Sequence, residues 1–271
     1  MEKQIVHAGA EKIAVYESKG KGAAAVLIHG NSCSSRSFQS QLDSALGDEF
    51  RLVAIDLPGH GESANASDPQ AVYTMPGYAR VMADVAEQLD LTRAVFVGWS
   101  LGGHIALELT TLLPNAAGWM IFGTPPLAFP PAMAEAFLPH PAMAAAFQEE
   151  LSAEQIAAFA AAMFNPGATI PEFFLDDMRR TDGRARAGLA ASIAPNGYAD
   201  EVVVVENLTR PLAVLQGEKE QLVNLAYLNS LKMPTLWRGA VQIVEGAGHA
   251  TQWEQPEKFN ALVKAFLNET A

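Results

Sequence analysis

A serine stands where a short apolar run gives way to a helical pattern. Ala94-Val95-Phe96-Val97 leads into Gly98-Trp99-Ser100-Leu101-Gly102-Gly103, and His104 to Leu109 continues with apolar residues at helical spacing. A strand, a tight turn and a helix in that order push Ser100 up at the carboxyl edge of a sheet, on a cramped backbone that tolerates only small neighbours. The helix that begins there aims its free N–H groups and positive dipole end at any anion forming above the serine. A hydroxyl is a poor nucleophile near neutral pH. It needs an imidazole to take its proton and a carboxylate to fix the tautomer and stabilise the imidazolium. The Gly-x-Ser-x-Gly pattern alone recurs by chance in roughly one chain in ten of this length, taking Gly and Ser at about 7% each, so its meaning depends on the elements around it.

Those elements alternate. Gln4 to His7 and Glu11 to Tyr16 flank Ala8-Gly9-Ala10 as an opening hairpin, and Ala23 to Ile28 then reads as a strand buried on both faces. A helix over Ser37 to Leu46, a strand over Leu52 to Ile55, a helix over Pro76 to Leu89, the serine strand with its helix, and a strand over Trp119 to Phe122 follow. After Thr124 the rhythm breaks into proline-punctuated, alanine-rich segments. Only Val202 to Val205 offers a further strand before the sheet resumes. Within this stretch Ser152-Ala153-Glu154-Gln155 has the form of a capping box, with Ile156, Phe159 and Met163 sharing one face behind it. Strands at Leu212 to Leu215 and Val241 to Val244 and a helix from Pro256 to Leu267 complete the chain. The pattern predicts an α/β fold with a mostly parallel sheet covered on both faces, a core over 1–123 and 207–271, and a helical cap over 124–206.

The chain of 271 residues is 49% hydrophobic with 18% charged residues, which suits a compact soluble enzyme. Its net charge of -12 repels phosphate backbones and anionic lipid, so neither nucleic acid nor a membrane surface is an expected partner. Uncharged small molecules are the expected substrates. One cysteine, Cys33, rules out an intrachain disulfide. Met1-Glu2-Lys3-Gln4 lacks a basic segment followed by an apolar one, and the apolar runs are too short to span a bilayer, so a cytoplasmic protein is expected. No Gly-rich loop with lysine and no His-x-His cluster is present, so neither a cofactor nor a metal is expected.

The landmarks His29-Gly30, Asp56-x-Pro-Gly-His-Gly-x-Ser63, Gly98-x-Ser100-x-Gly102-Gly103, Gly217-x-x-Glu220 and Gly246-x-Gly-His249 resemble, in order, those of the α/β-hydrolase superfamily. The resemblance covers the whole core and implies the α/β-hydrolase fold with a Ser, acid, His order of catalytic residues, each on a loop at the carboxyl end of a strand. It makes Ser100 the nucleophile and His249, in a glycine-rich loop beyond the last strand, the general base and acid. His29, His60 and His104 lie in turns and a helix, where structural roles are expected. Both Glu218 and Glu220 follow the strand ending at Leu215, and the superfamily's spacing points to Glu220, with glutamate where aspartate is usual. An alternative acid position after the previous strand holds Gly123-Thr124-Pro125, without a carboxylate. Leu101 and Asn31 are the expected N–H donors of an oxyanion hole; the Asn31 side chain can add its amide or cap the helix near Ser34. Cys33 has no activating neighbour and reads as a small packing residue.

The fold hosts many chemistries, so substrate must be argued separately. A serine nucleophile disfavours dehalogenase and epoxide hydrolase chemistry. Met133, Phe137, Met143, Phe147, Phe159, Met163 and Phe164 in the cap offer an apolar lining for an acyl chain, and Trp99, Phe159 and Met163 are the expected substrate contacts. Gly98-Trp99-Ser100-Leu101-Gly102-Gly103-His104-Ile105, Gly123-Thr124-Pro125-Pro126 and Thr181-Asp182-Gly183-Arg184-Ala185-Arg186 are similar to the metal-independent N-acyl-homoserine lactone lactonases of this superfamily. The glutamate in the acid position is similar to that group too. This resemblance implies a lactonase that degrades acyl-homoserine signals through an acyl-enzyme. Two other readings fit the same residues: a general carboxylesterase of short acyl esters, and a ligand receptor built on a hydrolase fold.

Overall fold

The computed structural model describes residues 1–193 and 197–270. Its centre is one eight-stranded sheet in the order β1-β2-β4-β3-β5-β6-β7-β8. The strands are β1 (Glu2–Ala8), β2 (Glu11–Glu17), β3 (Ala24–Ile28), β4 (Arg51–Ile55), β5 (Val95–Trp99), β6 (Gly118–Phe122), β7 (Leu212–Gly217) and β8 (Gln242–Val244). The opening hairpin β1–β2 is antiparallel and joins β4 antiparallel, and every pairing from β4 to β8 is parallel.

The continuous apolar runs serve both faces of this sheet. Val26, Ile28, Val53, Ile55, Phe96, Ile121 and Val214 point to one side, where helices Met75–Gln88 and Leu101–Leu112 cover them with Tyr78, Met82, Val85, Ile105 and Leu109. Their sequence neighbours Leu27, Leu52, Ala54, Val97, Met120, Phe122 and Leu215 point to the other. There Phe38 and Leu42, with Phe259, Val263 and Phe266 of the Pro256–Thr270 helix, close the second core. β3 lies between β4 and β5, so the chain leaves it first to one side and then to the other. Open parallel sheets bind their ligands at such a switch point, beyond the carboxyl ends of the strands. The loops that follow β3 and β5 carry Asn31 and Ser100.

Two expected elements differ. The single helix over Ser37 to Leu46 is instead a 3₁₀ turn, Ser35–Phe38, and two short helices, Gln39–Leu42 and Ala45–Glu49. Ser44 starts the second by accepting the Leu46 N–H, and Gly47 passes so close to Leu42 that a Cβ there would lie 2.1 Å from the Leu42 carbonyl oxygen. The valine run at Val202 to Val205 is not a strand. It lies in a helix, Glu201–Asn207, because Asp200 caps it through the Val203 N–H and Glu201 is tied inward. Between β6 and β7 the remaining described residues form the helices Met133–Ala136, Ala153–Ala162, Glu172–Arg180 and Gly183–Ser192 and a 3₁₀ segment, Pro141–Phe147. The expected capping box is present: Ser152 Oγ accepts the Gln155 N–H, and the Gln155 side chain accepts the Ser152 N–H at 2.8 Å. Among the described residues no helix is long and apolar enough to cross a membrane.

The glycine- and histidine-rich turn after β4 is a brace. Asp56, buried, accepts the N–H groups of Ser35 at 2.7 Å and Glu62 at 2.8 Å, while Ser63 Oγ donates to the Asp56 carbonyl at 2.6 Å. His29 donates from Nδ1 to the Gly30 carbonyl and accepts the Leu57 N–H at Nε2, which joins the ends of β3 and β4. Burial pushes the His29 imidazole down to about 4 and that of His60 down to about 3, so both stay neutral in the folded protein. The unfolded chain takes up these protons at the ordinary histidine value of 6.5, so it binds more protons below that value. The sign follows: stability is intact above about pH 6.5 and falls with pH through the region between 6.5 and about 4. Burial raises the Asp56 and Asp177 carboxyls, which act in the opposite sense near their own range, so the imidazoles dominate the upper part of that window. Urea unfolding at a series of pH values is expected to show a slope approaching ~1.4 kcal/mol per pH unit for each histidine. His60→Asn should roughly halve it; stability that is flat or rises from pH 6.5 to 5 contradicts this account.

Candidate active site

Ser100 sits between β5 and the Leu101–Leu112 helix with φ 54° and ψ −118°, a left-handed backbone that a side-chain-bearing residue rarely adopts. The turn is held in place by β6: the Ser100 N–H donates to the Phe122 carbonyl at 2.9 Å, and Thr124 Oγ1 donates to the Ser100 carbonyl at 2.9 Å. The glycines are there for close approach. A Cβ at Gly98 would meet the Gly102 carbonyl oxygen at 2.2 Å, and one at Gly102 would meet that of Ile28 at 2.1 Å. Ser100 itself remains partly accessible.

His249 and Glu220 meet. The His249 Nδ1 donates to Glu220 Oε2 at 2.8 Å, with both side chains 2% exposed. The second Glu220 oxygen accepts the Leu222 N–H at 2.8 Å, which fixes the carboxylate's orientation. His249 Nε2 is buried and has no protein partner among the described residues, and the ring borders the same cavity as Ser100. Glu218 takes a different course. It lies at the surface, where its carboxylate accepts the Gly246 N–H at 3.0 Å and pairs with Lys219, and that N–H holds its acidity below the usual range.

The N–H groups of Asn31 and Leu101 make no hydrogen bond within the described protein, and both residues border the cavity. The Asn31 side chain is anchored to the protein. Its Nδ2 donates to the Ala146 carbonyl at 2.8 Å and its Oδ1 accepts from Ser32 Oγ at 3.0 Å. Nor does Asn31 cap a helix, since Ser34 does so for Ser35–Phe38. Behind Ser32 stands Arg186, 4% exposed, which donates to Ser32 Oγ at 3.3 Å and to the carbonyls of Gln148 and Glu149 at 2.8 Å each. The Thr181–Arg186 motif is thus a brace for the loop that carries Asn31. Burial raises the Cys33 thiol well above its ordinary value, and its side chain is enclosed in the second core.

Met133, Phe137, Met143, Phe147, Phe159 and Met163 line the cavity, joined by Met75, Leu127, Leu189 and Leu222, which the sequence pattern did not single out. One expected contact and one expected lining residue are corrected. Trp99 is fully buried beneath the site, its Nε1 donating to the His249 carbonyl at 2.9 Å, because an inward strand position leaves its ring no route to the cavity. Phe164 turns away to pack edge-on against Phe174 at 5.0 Å. A further polar pair was missed: His104 borders the cavity, and its Nδ1 lies 2.9 Å from both carboxylate oxygens of Glu201. The valines that follow Glu201 masked it, since they read as a strand. Among the described residues no three His, Cys, Asp or Glu side chains gather as a metal site.

The profile of the alpha/beta hydrolase family matches residues 25–262, and the chain belongs to that family and is a hydrolase. It is similar to solved structures of the N-acyl homoserine lactonase AidH. A serine-to-glycine variant of AidH holding N-hexanoyl homoserine lactone superposes with a TM-score of 0.95 at 36% identity, covering 99% of this chain and 98% of that one. A glutamate-to-glycine variant holding N-hexanoyl homoserine gives a TM-score of 0.96 at 36% identity, with 100% and 97% covered. An uncharacterized protein of Mycobacterium tuberculosis is 28% identical over 93% of this chain and 77% of its own length.

Proposed function

We propose that the protein is a serine hydrolase that opens the lactone ring of N-acyl homoserine lactones, with residues 124–206 as a cap over the acyl chain. The observation that carries the chemistry is the meeting, at one apolar cavity, of Ser100 on its strained turn, an imidazole clamped by a buried glutamate, and two unused backbone N–H groups. The full-length likeness to AidH supports the choice of substrate, since that protein was solved with both an acyl homoserine lactone and the ring-opened acid.

In this reading Ser100 Oγ attacks the ring carbonyl while His249 Nε2 takes its proton. The Leu101 and Asn31 N–H groups hold the oxyanion, aided by the positive end of the Leu101–Leu112 helix. Glu220 fixes the Nδ1–H tautomer, so Nε2 carries the lone pair. Collapse of the tetrahedral intermediate breaks the ring C–O bond, and His249 returns the proton to the leaving alkoxide. The new alcohol stays tethered to the acyl-enzyme. Water must therefore compete with attack by that alcohol, which sets a premium on orienting a water at His249 promptly. The chain of the substrate lies along Phe159, Met163 and their apolar neighbours, where methionines adapt to different lengths.

Chromatography of a panel of N-acyl homoserine lactones and matched open-chain esters tests this. Ring-opened product and a kcat/KM higher for the lactones are expected. A ratio far in favour of the esters replaces this reading with a general carboxylesterase, and a single acylation without turnover on either replaces it with a ligand receptor.

Gly123 offers a second test. Its φ is +59°, and an added Cβ would stand 2.7 Å from His249 Cε1. Gly123→Ala is therefore expected to displace the imidazole and lower kcat by about 10²-fold. Gly239 has a similar φ of +67° with nothing within 4 Å, so Gly239→Ala should cost about 1 kcal/mol of stability and leave kcat alone. Equal kcat values for the two variants contradict the role given to His249.

A further inference from the structure

The cavity wall holds four residues with polar side chains, Asn31, Ser100, His104 and His249. The chemistry above uses Ser100 and His249, and the Asn31 amide is tied to the Ala146 carbonyl and to Ser32 Oγ. His104 is left. Its side chain is 9% exposed and its ring, like that of His249, is gripped at Nδ1 by a buried glutamate. Glu201 is 0% exposed and is itself fixed, its Oε2 accepting the Leu127 N–H at 2.7 Å while its own N–H donates to the Leu127 carbonyl at 2.9 Å. Burying a carboxylate is costly, and a packing role alone could be filled by apolar residues at both positions. What the pair adds is a fixed tautomer: with Nδ1–H directed at Glu201, the neutral ring carries its lone pair on Nε2. Among the described residues Nε2 makes no hydrogen bond.

His104 lies one helical turn beyond Ser100, its main-chain N–H donating to the Ser100 carbonyl at 3.3 Å. Both side chains border the one cavity, so an acceptor on His104 is offered to a substrate whose carbonyl is held at Ser100. In an N-acyl homoserine lactone the amide nitrogen is two bonds from the ring carbonyl carbon, and its N–H is the molecule's only hydrogen-bond donor when the acyl chain is unsubstituted. Building on the lactonase reading, we infer that His104 Nε2 accepts the substrate's amide N–H, so that the His104–Glu201 pair selects α-amido lactones over lactones lacking that donor. Without the donor, the cavity must leave a desolvated ring nitrogen unpaired, which is the more effective way to reject an analogue.

The experiment compares kcat/KM for N-hexanoyl homoserine lactone and its carba analogue, in which CH2 replaces the amide N–H, with ring-opened product read by chromatography. The wild-type protein is expected to prefer the amide by roughly 10- to 100-fold. In His104→Leu/Glu201→Gln, where the neutral amide of Gln still accepts the Leu127 N–H, the preference should shrink to within about threefold. A wild-type ratio near one overturns the inference and leaves the lactonase reading standing. A ratio that persists in the double variant also overturns it, since the pair is then structural. If the wild-type protein opens neither lactone, the lactonase reading falls and takes this one with it.

Discussion

Ser100→Ala is expected to lower kcat on lactones and open-chain esters alike by about 10⁶-fold, the loss seen when a triad nucleophile is removed, with a residual rate roughly 10³-fold above that in water. The residue is not a structural support. Its hydroxyl makes no hydrogen bond within the described protein, and the turn's ties to β6 run through the Ser100 N–H and carbonyl, which alanine retains. The variant should therefore match the wild-type free energy of unfolding in urea to within about 0.5 kcal/mol. Steady-state assays of both substrate classes with matched unfolding curves check this. Turnover within tenfold of wild type would remove Ser100 from the mechanism.

Glu220→Gln is expected to cost about 10⁴ in kcat with little change in KM. The glutamine is isosteric and still meets the Leu222 N–H through its carbonyl oxygen. Its amide end has no negative charge to stabilise the imidazolium and can hold His249 in the wrong tautomer, with Nε2 protonated before attack. Glu218→Gln sits on the solvent side of the same loop and should change kcat by less than about threefold, since Glu218 contacts Gly246 and Lys219 and not the imidazole. Kinetics of the two purified variants decide between the glutamates, and the reverse order of effects contradicts the assignment.

How much of this was legible in the sequence depended on whether the signal was local. The serine turn was, because a strand run, flanking glycines and a helical pattern all fall within a dozen residues of Ser100. The sheet was also legible, since runs buried on both faces leave few other fates for β3 to β7. The 37–46 segment misread as one helix because its composition hides a break at Asp43–Ser44, where Ser44 caps a new helix and Gly47 packs close against Leu42. At Val202 to Val205 the β-branched run pointed to a strand, and a cap at Asp200 with a tertiary tie at Glu201 overrode it. The His104–Glu201 pair could not be read at all: 97 residues separate its members, and neither lies in a pattern that announces the other. Trp99 shows the reverse failure. Its place beside the serine suggested a substrate contact, but a strand residue one step before the turn points into the core, where its indole supports the His249 backbone.

Attack of Ser100 on the substrate carbonyl underlies every step above. Titration with a fluorophosphonate, followed by peptide mapping and assay of the remaining lactone opening, decides whether it occurs. A single adduct on Ser100 and loss of activity in proportion to labelling are expected. Full modification of Ser100 with lactone opening intact would contradict it.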